Sequence, residues 1–181
     1  DRYPGHEFFR KLVLGKSTDR GDLRTLCAQL GMLFFENATE GNWLDIGTQG
    51  IDDYYYQNLG FDINTPMVAR FSKVLDMAVN IFAGYNGKKL KVHEAIHVML
   101  LINSLLDDYT RDWQNKFIEA FDSFRHNALV DKRQKEGEYW FKYISLTIAQ
   151  AAQASSLQRR HSFFVEKMAE ILKKKGGAGI Q

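Results

Sequence analysis

The sequence predicts an all-α protein, about eight helices packed as one irregular bundle or as two small subdomains. Three observations predict it. Apolar residues recur at i, i+3, i+4 and i+7 through most of the chain, only two prolines (Pro4 and Pro66) interrupt it, and the paired turn residues that punctuate hairpins are nearly absent. Hydrophobic residues at 45% and charged residues at 25% match globular usage and are too rich in aromatics for a disordered chain. A chain of 181 residues buries about 70% of its unfolded surface and needs no disulfide. None is available within it, because Cys27 stands alone.

Phe8, Phe9, Leu12 and Val13 predict a short first helix over 5–14, followed by a turn at Gly15, Lys16, Ser17, Thr18 and Asp19 that supplies cap residues. Leu23, Leu26, Cys27, Leu30, Leu33 and Phe34 predict a second helix over 22–37 with one buried face, on which Cys27 is a small core residue rather than a nucleophile. Residues 37–50, rich in Asn, Thr and Gly, form a loop anchored by Trp43, and 51–58 a short third helix. Its run Tyr54, Tyr55, Tyr56 is expected to pack, with one ring left toward solvent. Thr65-Pro66 is the best helix start in the chain, since Thr accepts from first-turn amides and Pro at the first position loses no bond. A fourth helix over 66–83 follows, stopped by Gly84.

The fifth helix, 91–106, is apolar around much of its circumference and reads as the central element. A sixth spans 111–130 on Trp113, Phe117, Ala120, Phe121 and Phe124, and the charged stretch 130–137 reads as a loop. Tyr139, Trp140, Tyr143, Ile144 and Ile148 build a seventh. Ser155-Ser156 caps an eighth, whose end at Lys173, Lys174 and Lys175 complements the helix dipole. The helical domain thus covers 1–175, with 176–181 a frayed tail.

Several function classes drop out. No Gly-rich phosphate loop, Gly-x-Ser-x-Gly elbow or Cys-x-x-Cys pair occurs. The pairs Asp52-Asp53 and Asp107-Asp108 point their carboxylates in different directions and read as caps rather than metal pairs. The lone cysteine and the lack of a basic-then-apolar leader predict a cytoplasmic setting, and no apolar run of about 18 residues predicts a membrane span. No cofactor is expected.

The sharpest motif is His93-Glu94-Ala95-Ile96-His97. In a His-Glu-x-x-His helix the two histidines share a face that binds zinc and the glutamate activates a metal-bound water, which makes a zinc hydrolase one alternative. A third ligand at a familiar spacing is missing, Glu119 lies beyond a predicted helix break, Lys91 stands where a neutral residue is usual, and no strand offers a substrate edge. The competing expectation is a scaffold helix with two partly exposed histidines.

Charge is distributed unevenly. Residues 1–124 hold 13 Lys/Arg against 17 Asp/Glu, a balance of −4, whereas 125–181 hold 11 against 5, a balance of +6. Lys132, Arg133, Lys135, Lys142, Arg159 and Arg160 are the candidate nucleic-acid contacts, with DNA the partner the charge suggests. Arg125, His126, His161 and Lys167 accompany them. An ordinary solvated face, or a protein-interaction bundle, accounts for the same pattern.

Arg20-Gly21-Asp22-Leu23-Arg24 before an apolar helix, Ile51-Asp52-Asp53-Tyr54-Tyr55, Arg70-Phe71-Ser72-Lys73-Val74-Leu75, Gly137-Glu138-Tyr139-Trp140 and Arg159-Arg160-His161-Ser162-Phe163-Phe164 together resemble the C-terminal helical half of the domain-of-unknown-function 262 family. The resemblance spans most of the chain on packing-type motifs. It implies a fragment of a larger protein of modification-dependent restriction or phage defence, partnered by a ParB/sulfiredoxin-like N-terminal half. That half carries the family's Asp-Gly-Gln-Gln-Arg region, which is absent here, so the resemblance brings no catalytic residue with it.

Overall fold

Thr65 begins its helix as its chemistry dictates: the hydroxyl accepts from the Val68 amide at 3.3 Å, and Pro66 occupies the first helical position. In the computed structural model, which describes residues 5–13, 20–107 and 113–174, this helix is one of a series with no strand among the described residues. The only β pairing described is an isolated bridge between Val13 and Leu90, where the Leu90 amide donates to the Leu12 carbonyl at 2.7 Å. The all-α expectation is met. The chain divides into two compact units, residues up to 107 with the short return 152–154, and residues 108–151 with 155 onward.

The first unit holds a π-helical turn Phe8–Leu12, α1 (Arg20–Phe35), a 3₁₀ turn Ala38–Glu40, α2 (Thr48–Gln57), α3 (Pro66–Ile81) and α4 (Val92–Leu105). From Glu94 to Ile102 every residue of α4 is buried, nine in succession, as a helix enclosed on all sides requires. It packs on α1 and α3, where Leu30, Leu33, Phe34, Phe71, Val74 and Leu75 supply the facing apolar surface. Arg70 of α3 closes the far end of α4. Its Nε donates to Asn103 Oδ1 at 2.6 Å, and Nη2 donates to the Asn103 carbonyl and to Asp107 Oδ2, each at 2.8 Å. A guanidinium thereby satisfies a last-turn carbonyl and complements the negative end of the dipole. The return segment is tied in by two bonds, from the Ile46 amide to the Ala152 carbonyl at 2.8 Å and from the Ala154 amide to Asp45 Oδ1 at 2.6 Å.

The second unit holds α5 (Trp113–Gln134), a π-helical turn Trp140–Ile144 running directly into α6 (Ser145–Ile148), and α7 (Ala154–Lys174) from Ser155 onward. Its core centres on Phe124, whose ring lies 4.9 Å from Tyr143, 4.9 Å from Phe164, 5.2 Å from Tyr139 and 6.3 Å from Phe163. These distances suit edge-to-face and tilted aromatic packing.

Several expectations are revised. The charged stretch after 130 is not a loop: α5 continues to Gln134 because Lys, Arg and Gln are good helix formers on a solvated face. It stops where Lys135 takes φ 53 and Gly137 φ 94, left-handed positions that end a helix. The seventh segment is helical without a break over 138–148, as expected, but carries a π-helical stretch at Trp140–Ile144 inside it, and α7 opens at Ala154, one residue before the expected serine cap. The first segment is a π-helical turn of five residues. The turn expected at 15–19, the residue Asp108, Lys175 and the tail 176–181 lie outside the described residues.

Candidate functional site

The six cations proposed from the sequence differ in their surroundings: Arg160 is buried, Lys142 is ion-paired, and the other four are exposed. Lys132 and Arg133 stand exposed in the last turn of α5, where the dipole favours them, and Lys135 is exposed just beyond. Arg159 is exposed on the second turn of α7. Lys142 is committed to Glu138, which it meets at 2.8 Å. Lys167 likewise lies 2.9 Å from Glu138 and 3.2 Å from Glu170, and this local pairing holds the Glu138 carboxyl below its ordinary pKa.

Arg160 is a correction. It is 1% exposed, inside the core, so its place in the predicted phosphate-contacting set is withdrawn. Its Nη2 donates to the Ala151 carbonyl at 2.6 Å, while Nε and Nη1 have no hydrogen-bond partner among the described residues. Burial lowers its pKa from the ordinary value. His161 is buried as well, at 6% exposure, and burial pushes its pKa down to about 4. A signal for both was present: counted from Leu157, Arg160 and His161 stand at i+3 and i+4, Phe164 at i+7 and Met168 at i+11, the stripe that carries Leu157, Phe164 and Met168 inward.

The His93-Glu94-Ala95-Ile96-His97 helix is real, being the first turns of α4, but its groups are set for packing. The Glu94 carboxylate turns back to accept the Lys91 amide at 2.7 Å, which satisfies one of the orphan donors of its own helix start. Glu94 is buried, His97 is fully buried and His93 is half-buried, so the expectation of two partly exposed histidines holds for His93 alone. Among the described residues no three His, Cys, Asp or Glu side chains converge as a metal site would need. Cys27 is half-buried and burial raises its thiol pKa to about 11, which leaves it protonated and unreactive at neutral pH.

One cavity, of about 60 Å³, is bounded by Lys11, Leu12, Phe82, Tyr85, Gly87, Lys88, Lys89 and Leu90; organic ligands occupy clefts of roughly 300–1,000 Å³. No described helix is long and apolar enough to cross a membrane. The tyrosine run of α2 departs from expectation too, since Tyr55 and Tyr56 both face solvent and only Tyr54 is tucked in.

No family model, no curated protein and no solved structure matches this chain.

Proposed function

We propose that the chain is a non-catalytic helical module of a DNA-targeting, defence-type protein, whose second unit adds weak, sequence-independent contacts to nucleic-acid phosphates. The observation that supports it is the state of Lys132, Arg133, Lys135 and Arg159: all four are exposed and, among the described residues, none is held in an ion pair. The family resemblance supplies the defence context, and the +6 balance of residues 125–181 supplies the long-range attraction.

Four phosphate contacts fix the strength of the effect. Each contributes about −0.9 to the slope of log K against log salt, so the slope is at most about −3.6 and affinity falls roughly 150-fold between 50 and 200 mM salt. Fluorescence anisotropy with a labelled 20-base-pair duplex reads this directly. Charge reversal of all four residues should abolish binding to every duplex sequence, because phosphate contacts position a duplex without reading bases. Absence of salt-dependent binding at 25 mM salt would replace this reading with a protein-interaction bundle.

A further inference from the structure

Five large apolar side chains within nine residues face solvent: Tyr55 at 70% exposure, Tyr56 at 76%, Leu59 at 76%, Phe61 at 42% and Ile63 at 70%. They occupy the end of α2 and the turn after it. The backbone beneath is fixed, with the Asn58 amide donating to the Tyr55 carbonyl at 3.2 Å, the Phe61 amide to the Asn58 carbonyl at 3.0 Å, and Asn58 Nδ2 to the Tyr54 carbonyl at 2.9 Å. Phe61 also leans on Phe35, with ring centroids 4.9 Å apart. No residue of α2 is fully buried. Single exposed apolar residues are ordinary, but a group of five on an ordered segment is the kind of patch that partners cover.

Its electrostatic setting is unusual. Residues 25–69 contain six acids, Glu36, Glu40, Asp45, Asp52, Asp53 and Asp62, and no Lys, Arg or His at all. All but Glu36 are exposed; Asp62 lies within the apolar group, and Asp52 and Asp53 stand on α2 within one turn before Tyr56. An aromatic surface set among exposed acids repels phosphate and selects a cationic partner. The chain's other exposed large apolar residues fit it poorly: Val92 stands singly beside Lys91, and Ile148 has no Lys, Arg or His within five residues. Leu129 and Val130 adjoin Asp131 as well as Lys132, and Phe141 stands between Glu138 and Lys142, which already pair.

We infer that the surface formed by Tyr55, Tyr56, Leu59, Phe61 and Ile63 is a docking site for a basic amphipathic segment of another protein, whose apolar stripe covers the aromatic group while its Lys or Arg side chains meet Asp52, Asp53 and Asp62. The full 181-residue chain is titrated into a labelled amphipathic helical peptide of Leu and Lys, and into its counterpart with Glu at every Lys position. The Lys peptide should bind, weaken with salt, and outcompete the Glu peptide by at least about ten-fold. Tyr56→Ser with Leu59→Ser should weaken it by about ten-fold or more, as loss of central apolar anchors does. Asp52→Asn with Asp53→Asn provides a second variant that leaves the apolar group intact, and it too should weaken binding while circular dichroism stays unchanged. Equal binding of both peptides, no binding of either, or indifference to both double variants would overturn the inference. Sedimentation showing self-association that Tyr56→Ser with Leu59→Ser abolishes would also overturn it, by making the occupant a second copy of the chain.

Discussion

Acidification should destabilise the second unit through His161. Its imidazole is 6% exposed, and burial pushes its pKa down to about 4 from an ordinary 6.5. The folded chain therefore holds this histidine neutral at a pH where the unfolded chain already binds a proton. The group's contribution is unperturbed above about pH 6.5, declines as pH falls from there toward about 4, and is fully lost below that. A gap of about 2.5 pKa units amounts to roughly 3 kcal/mol in full, of which about 2 kcal/mol is lost by pH 5. In urea that moves the midpoint by about 1 M or more. Trp113 and Trp140 report on this unit once Trp43, the remaining tryptophan, is replaced by Phe. The pairing of Glu138 with Lys142 and Lys167 lowers its pKa from 4.5, so what that pairing contributes is lost only at still lower pH and leaves the window from 8 to 5 clean. His161→Gln should lose about 2 kcal/mol less than the wild type between pH 8 and pH 5. Equal losses in the two proteins would refute the reasoning, since the imidazole would then take up its proton in the fold.

Phe124→Ala should cost about 3–5 kcal/mol in denaturant titration, because it opens a cavity among four aromatic neighbours and removes their ring contacts. Gly137→Ala should destabilise by about 1–3 kcal/mol: its φ of 94 is strained for any side chain, and the new Cβ would collide with the Asp131 carboxylate that accepts the Tyr139 amide. Glu94→Ala should lower the thermal midpoint in step with a loss of about 1 kcal/mol, as removal of a first-turn acceptor does. A Glu94→Ala protein as stable as the wild type would show that the carboxylate is not needed where it sits.

Local chemistry was most legible where one residue type has one solution. Thr65-Pro66 marked its helix start to the residue, and the nearly all-apolar fifth segment announced the enclosed α4. Legibility failed where two uses of one residue compete. Charge after position 130 signalled a loop, yet on a solvated helix face the same side chains extend α5, and only the backbone at Lys135 and Gly137 ends it. The π-helical turns at Phe8–Leu12 and Trp140–Ile144 were invisible because a few apolar residues cannot distinguish a wide turn from a 3.6-residue one. At the candidate site the error was to sum charges without assigning faces. Adjacent side chains on a helix diverge by about 100 degrees, and here Arg160 falls on the stripe of Leu157, Phe164 and Met168 while Arg159 falls on the solvated side. Glu94 was weighed as a catalytic base when its three-residue separation from Lys91 already described a capping acceptor.

The return segment 152–154 has a consequence for inheritance. Its Ala152 carbonyl accepts from the amide of the buried Ile46, and its Ala154 amide donates to Asp45, yet it is encoded after the whole of the second unit's first stretch. A single recombination crossover between the units would hand one descendant an unmatched amide at Ile46 and the other three residues evolved for a neighbour it no longer has. Exchange of either unit with a relative therefore requires two breakpoints, and substitutions at Asp45, Ile46 and Ala152 through Ala154 should be inherited together although more than a hundred positions separate them.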